Sequence, residues 1–282
     1  MATAQRELAV EAADGHRWSL LARIPAQPRR SLLWLPALGV AARHYLPFAD
    51  ALAAQGVAVF LHEWRGHGTS STRAGRDVDW GYRELLLHDL PASQAAVANA
   101  CDAPPVIGGH SLGGQLACCR VALAPGSAGA IWLVASGSPW WRVFPARTQW
   151  WLPGAYVLLP LLARANGALP GRAVGFGGKE ARGLVSDWAR SGRTGCYAGA
   201  GIDEDLDTAL SRVDVPVSAV LFDRDWLGPE PSLRYLLSKL HGGAGARVHT
   251  LGAQVLGTRA DHFAWMKRPR AVASALTSDA AA

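Results

Sequence analysis

Acidic residues are missing from one long stretch of the chain: none occurs from 136 to 179. Lysine is scarce, confined to Lys179, Lys239 and Lys267, so the formal net charge of +6 is carried mostly by arginine. The arginines are scattered and form no dense stripe. A nucleic-acid surface needs a clustered basic footprint, so no nucleic-acid partner is expected. The charge implies only a mild attraction to anionic substrates or surfaces. Cysteine is also rare. Cys101, Cys118, Cys119 and Cys196 have no metal-ligand spacing, and their plain reading is reduced thiols in a cytoplasmic protein. Long apolar runs are lacking. The longest, 150–162, is interrupted by Pro153 and Pro160 and is too short to span a bilayer. No apolar signal region precedes the alternating residues near the start, which again points to the cytoplasm.

What is present is a chain of 282 residues that is 50% hydrophobic. That is ample for a sizeable core and excludes disorder as a theme. Two alternating runs flank Asp14-Gly15 and predict a hairpin over 6–24. The apolar runs 31–35, 57–61, 105–107, 130–135 and 215–222 read as strands buried on both faces, and 246–251 as a last strand. Helical patterns fall between them at 45–55, 80–99, 114–123 and 231–241. This alternation predicts a mostly parallel, doubly wound sheet, whose ligands lie at the carboxyl ends of the strands.

The rhythm breaks over 137–205, where Pro and Gly are frequent and five of the twelve tryptophans fall: Trp140, Trp141, Trp150, Trp151 and Trp188. The segment reads as a helical lid inserted in a core made of 1–136 and 206–282, with a short helix at 180–190. The charge run Asp203–Asp207 reads as a solvated helix start. The tryptophans suit packing against the core and an apolar acyl pocket, with Trp140, Trp141 and Trp226 as candidate substrate contacts. Gly175-Phe176-Gly177-Gly178-Lys179-Glu180 is not a phosphate loop: Ala173 stands where that motif needs glycine, and Glu180 where it needs Ser or Thr. His62-Glu63-Trp64-Arg65-Gly66-His67 superficially resembles a zinc motif. Its histidines are five apart in a glycine-rich turn, whereas that site needs them four apart on a helix, so no metal is expected.

The most informative stretch is Gly109-His110-Ser111-Leu112-Gly113, a G-x-S-x-G between a buried strand and a helix. A serine hydroxyl is a weak nucleophile until a base takes its proton. A sharp turn holding Ser111 clear of the sheet, in a strained positive-φ conformation, lets a base reach it. A Cβ at 109 or 113 would crowd the helix against the strand. The N–H of Leu112, at the positive end of the new helix, can face an oxyanion, with the N–H of Leu38 as a second donor.

The base needs an acid to hold its tautomer, and on this type of sheet the order is Ser, acid, His. His262 follows the last strand and is the candidate base. His110 adjoins the serine with its side chain pointing away; His249 is inside a strand; His241 ends a helix; His44, His62 and His67 belong to earlier loops. Asp225 is the favoured acid, because Trp226-Leu227-Gly228-Pro229 makes the turn that aims it. Asp223 and Asp261 are the alternatives. The loop after 135 is excluded because no acid occurs from 136 to 179. The chemistry requires no cofactor.

Together Pro36–Val40, Trp64–Ser70, Gly109–Gly114, Asp225 and His262-Phe263 resemble the α/β-hydrolase superfamily. Trp80-Gly81 and the stretch from Pro170 to Arg190 make the chain similar to a bacterial group related to the serine aminopeptidase and monoacylglycerol-lipase-like branch. One departure is Pro36-Ala37, where many members have His-Gly. The resemblance implies a hydrolase. With the residues above, the expectation is hydrolysis of a carboxylic ester or thioester with an apolar acyl group. An acyltransferase on the same residues, or a binding protein that kept the fold, are the alternatives. The expected partner is a small-molecule acyl substrate.

Overall fold

The computed structural model describes residues 3–278. Strands β1 (Thr3–Glu11) and β2 (Arg17–Pro25) form the hairpin, paired antiparallel from Thr3↔Pro25 to Glu11↔Arg17. Strand β3 (Arg30–Leu35) leads through a 3-10 turn, Ala42–Tyr45, into α1 (Leu46–Ala53), and β4 (Val57–Leu61) follows. A single helical run then crosses the sheet as α2 (Tyr82–Glu84), a π-turn (Leu85–Asp89) and α3 (Leu90–Ala100). It starts at Tyr82 rather than 80, because the Gly81 N–H donates to the Glu84 carboxylate and the Tyr82 N–H to Asp187 Oδ2, satisfying first-turn donors. Next come β5 (Pro105–His110), α4 (Leu112–Leu123) and β6 (Ala130–Val134).

Between β6 and the next sheet strand lie α5 (Ala146–Gln149), α6 (Leu152–Asn166), the short pair β7 (Leu169–Pro170) and β8 (Lys179–Glu180) flanking α7 (Gly171–Val174), then α8 (Arg182–Thr194) and α9 (Leu206–Leu210). Helix α8 is longer than the sequence predicted and ends at Gly195, whose φ of 78° caps it. It is fastened to the core: Asp187 accepts from Tyr82 and Ala200, and the Leu184 N–H donates to Trp80 O. Asp205 is the N-cap of α9, accepting from the Thr208 N–H. The chain returns to the sheet with β9 (Val217–Phe222), α10 (Glu230–Leu237), β10 (Arg247–Leu251), α11 (Ala253–Leu256) and α12 (Arg270–Thr277).

The sheet has eight strands in the order β1-β2-β4-β3-β5-β6-β9-β10. Pairs from β4 to β10 are parallel, and β1-β2 and β2-β4 are antiparallel. Strands β4, β6 and β9 are buried at every residue, as strands covered on both faces must be. One face packs on Leu85, Leu90, Leu116 and Leu233 of the helices. The other packs on Phe48, Leu52, Trp265, Val272 and Leu276. No helix among the described residues is long and apolar enough to cross a membrane.

Candidate active site

Strand β5 runs into α4 with one residue between them, Ser111, at φ 54° and ψ −119°. The turn is held on several sides. The Ser111 N–H donates to Val134 O at 3.1 Å, and the Ser136 hydroxyl donates to Ser111 O at 2.7 Å. A Cβ on Gly109 would lie 2.3 Å from the Gly113 carbonyl carbon, and one on Gly113 would lie 2.1 Å from Leu35 O. The glycines therefore let helix and strand approach as closely as the turn demands. Ser111 and Ala135 are the two non-glycine residues at positive φ among the described residues, and both line one cavity. Strained backbone concentrated in one concavity makes that concavity the candidate site.

That cavity has a volume of about 360 Å³. Ser111, Leu112 and Leu38 line it, as do His262 and Trp226. Its apolar wall comes from Phe144, Trp151, Leu152, Tyr156, Leu159, Phe176 and Trp188. Among the described residues no Asp, Glu, Lys or Arg lines it.

His262 is buried, and its Nδ1 lies 2.7 Å from Asp225 Oδ2. The Asp225 carboxylate is itself fixed, since Oδ1 accepts the N–H groups of Leu227 and Gly228 at 2.9 and 3.1 Å. With Nδ1–H donated to the carboxylate, Nε2 is the ring nitrogen left with a lone pair. The other carboxylates lie elsewhere. Asp223 is exposed, and Asp261 caps its own turn by accepting from the Phe263 and Ala264 N–H groups.

Several site features carried only weak sequence signals. Tyr45 lies fully buried. Its hydroxyl accepts from the Ala37 N–H at 2.9 Å and sits 2.8 Å from His110 Nδ1. This ties the loop bearing Leu38 to the residue before Ser111. Burial, reinforced by nearby His262, pushes the His110 pKa well below the ordinary histidine range, so the ring is neutral and structural. Trp265 Nε1 donates to His262 O at 3.0 Å and steadies the loop. Gly39, at φ 78°, packs so tightly on the insertion that a Cβ there would lie 2.5 Å from the backbone of Gly177 and Gly178. The signals were a tyrosine at a helix start and a glycine after a strand, too common to single out.

Two of the candidate tryptophans lie outside the lining of this cavity. Trp140 is not a cavity wall; its ring lies on Tyr235 with centroids 4.5 Å apart. Trp141 is also outside the lining, with Arg142 over its ring at 5.0 Å. Trp141 opens a 3-10 turn, Trp141–Val143, with Trp140 just before it, and the rings of this segment that reach the cavity come from Trp151 and Trp188. Trp226 does line it, 6.2 Å from Trp151.

The loop 62–70 is a brace. His62 pairs through Nδ1 with the Ser93 hydroxyl, His67 faces Glu180 at 3.4 Å, and Trp64 Nε1 donates to Pro36 O. Among the described residues no group of three or more His, Cys, Asp or Glu could hold a metal ion. A second Ser–His–Asp set does occur: His16 Nε2 is 2.9 Å from Ser70 Oγ and its Nδ1 is 3.2 Å from Asp89 Oδ1. Ser70 and Asp89 are buried, Arg65 binds Asp89 through two hydrogen bonds, and Ser70 Oγ also takes the N–H groups of Gly66 and Thr72. That set holds the hairpin to the loop.

A mostly parallel eight-stranded sheet, with a strained serine between a central strand and its helix, and an aspartate and histidine after later strands, defines an α/β-hydrolase. Residues 26–174, more than half of the chain, match the model of the serine aminopeptidase S33 family, and the chain belongs to that family. Solved structures agree in fold. A thermophilic esterase from Thermogutta terrifontis is 12% identical, with 97% of each chain covered and a TM-score of 0.64. The monoacylglycerol lipase of Paleococcus ferrophilus is 15% identical, with 99% of each chain covered and a TM-score of 0.61. An esterase domain from Rhodothermus marinus is 16% identical, covers 98% of this chain and 95% of its own, and gives a TM-score of 0.62. No curated protein matches the chain in sequence.

Proposed function

We propose that the protein is a serine hydrolase that cleaves a carboxylic ester or thioester carrying an apolar acyl group. The observation that carries this reading is the single cavity lined by Ser111 and His262 and walled by aromatic and aliphatic side chains, with His262 bonded to the buried Asp225. In this reading Ser111 Oγ attacks the substrate carbonyl carbon while His262 Nε2 takes its proton. Asp225 keeps the imidazole in the required tautomer and offsets its charge. The oxyanion of the tetrahedral intermediate is met by the N–H groups of Leu112 and Leu38, each worth on the order of 100- to 1000-fold in rate. The intermediate collapses as His262 returns the proton to the departing alcohol or thiol, leaving an acyl-serine. Water, deprotonated by His262, then releases the carboxylic acid and restores the hydroxyl. The insertion 137–205 serves as a lid over a core of 1–136 and 206–282, and its inner face holds the acyl chain. The esterase and lipase chemistry of the structural neighbours supports the ester class.

A fluorophosphonate probe tests this. Wild type is expected to label and to hydrolyse esters, and Ser111→Ala to do neither. Equal labelling of the two, or none of wild type, counts against the proposal.

A further inference from the structure

We infer that the cleft beside His262 binds a phosphate carried by the leaving group of the substrate, an inference that rests on the hydrolase reading above. This cleft, about 670 Å³, shares Trp226, Leu227, His262 and Phe263 with the apolar cavity. Its character is the opposite. Arg43 reaches it from before α1, Arg224 from the end of β9, and Arg259 and Lys267 from either side of His262. All four are exposed. The two carboxylates that line it are already engaged. Asp225 holds His262 and two backbone N–H groups, and Asp261 holds two backbone N–H groups and the Arg259 side chain at 3.2 Å. Arg43, Arg224 and Lys267 have no ion-pair partner among the described residues.

Four cations from separate segments against two carboxylates around one opening make a local positive potential that draws anions. Guanidinium groups match phosphate in charge and in hydrogen-bond geometry. The chemistry of the site says which end of the substrate lies there. His262 hands its proton to the leaving group, so that group departs beside the imidazole. The acyl chain occupies the cavity whose described lining holds no Asp, Glu, Lys or Arg. The substrate class is therefore a small acyl ester or thioester whose alcohol or thiol part is phosphorylated. A glycerol phosphate and a phosphorylated thiol carrier both meet that description.

Two substrate pairs test it, each with one acyl chain. 1-Acylglycerol 3-phosphate and 1-acylglycerol differ only by the phosphate. Acyl-coenzyme A and the acyl thioester of N-acetylcysteamine differ by the phosphorylated part of the carrier. At low salt, the phosphorylated member of at least one pair is expected to have the higher kcat/KM by about tenfold or more, and the pair that shows it names the source. The ratio should fall as salt rises, and towards one in the triple variant Arg43→Ala/Arg224→Ala/Lys267→Ala. Ratios near one in both pairs, with turnover still dependent on Ser111, overturn the phosphate site alone, as does a ratio that the triple variant leaves unchanged. Turnover that persists in Ser111→Ala overturns the hydrolase reading instead.

Discussion

Two aspartates stand two residues apart after β9, and only their surroundings distinguish them. Asp225 is enclosed, with one oxygen on His262 Nδ1 and the other on two N–H groups. Asp223 is exposed. Replacing Asp225 by Asn would hold the imidazole in the wrong tautomer, and by analogy with other triads kcat should drop about 10⁴-fold. Asp223→Asn should change kcat by less than about twofold, as exposed substitutions away from a site do. Steady-state rates on one ester, side by side, decide between them; a larger loss for Asp223→Asn would sink the assignment. Chain order and the G-x-S-x-G say only that an acid should come from this loop; the turn Trp226-Leu227-Gly228-Pro229 is the one sequence feature that favours Asp225. The sequence could not rank Trp140 and Trp141 against Trp151 and Trp188. Tryptophan identity says that a ring will be half-buried, and only the path of the backbone says against what.

At the scale of elements, the turn between β5 and α4 depends on how nearly α4 touches the loop after β3. A methyl on Gly113 would meet the backbone oxygens Leu35 O at 2.1 Å and Pro36 O at 2.6 Å. Backbone cannot rotate aside as a flexible side chain can, so Gly113→Ala should cost about 1–3 kcal/mol and weaken fluorophosphonate labelling. Gly75→Ala, where nothing lies within 4 Å, serves as the control. Thermal melting of the two variants reads the difference, and equal melting temperatures would refute the packing argument. The sheet elements were largely legible, because runs such as 57–61 and 130–134 are apolar throughout and bounded by turn residues. The ends of helices were less so. Tyr82 as a helix start is set by Asp187, more than one hundred residues away, and no local pattern encodes such a partner. The order of the strands was equally hidden, since it records long-range pairing.

Across the whole molecule, buried histidines tie stability to pH. His62 is enclosed near Trp18 and Trp64, and burial lowers its pKa to about 3. Unfolded, it titrates near the ordinary value of 6.5. Between these values the unfolded chain binds a proton that the folded one refuses, so stability falls as pH falls, by about 1.4 kcal/mol per pH unit for this group. Glu63 and Asp187, raised by burial, act in the opposite direction. The clean comparison is therefore between wild type and His62→Gln. From about pH 6.5 to pH 5 the variant's unfolding free energy should fall less steeply by that amount. Parallel pH profiles in urea unfolding would show that His62 is not refusing the proton.

The contact of Gly39 with Gly177 and Gly178 joins the loop that presents Leu38 to a stretch, 174–177, that also lines the cavity. Two walls of the cavity are thus cut from one piece. Trimming the chain down to its bare sheet and helices would not leave a smaller version of the same tool, because the edge on which a reacting carbonyl would rest is shaped in part by residues that such trimming discards.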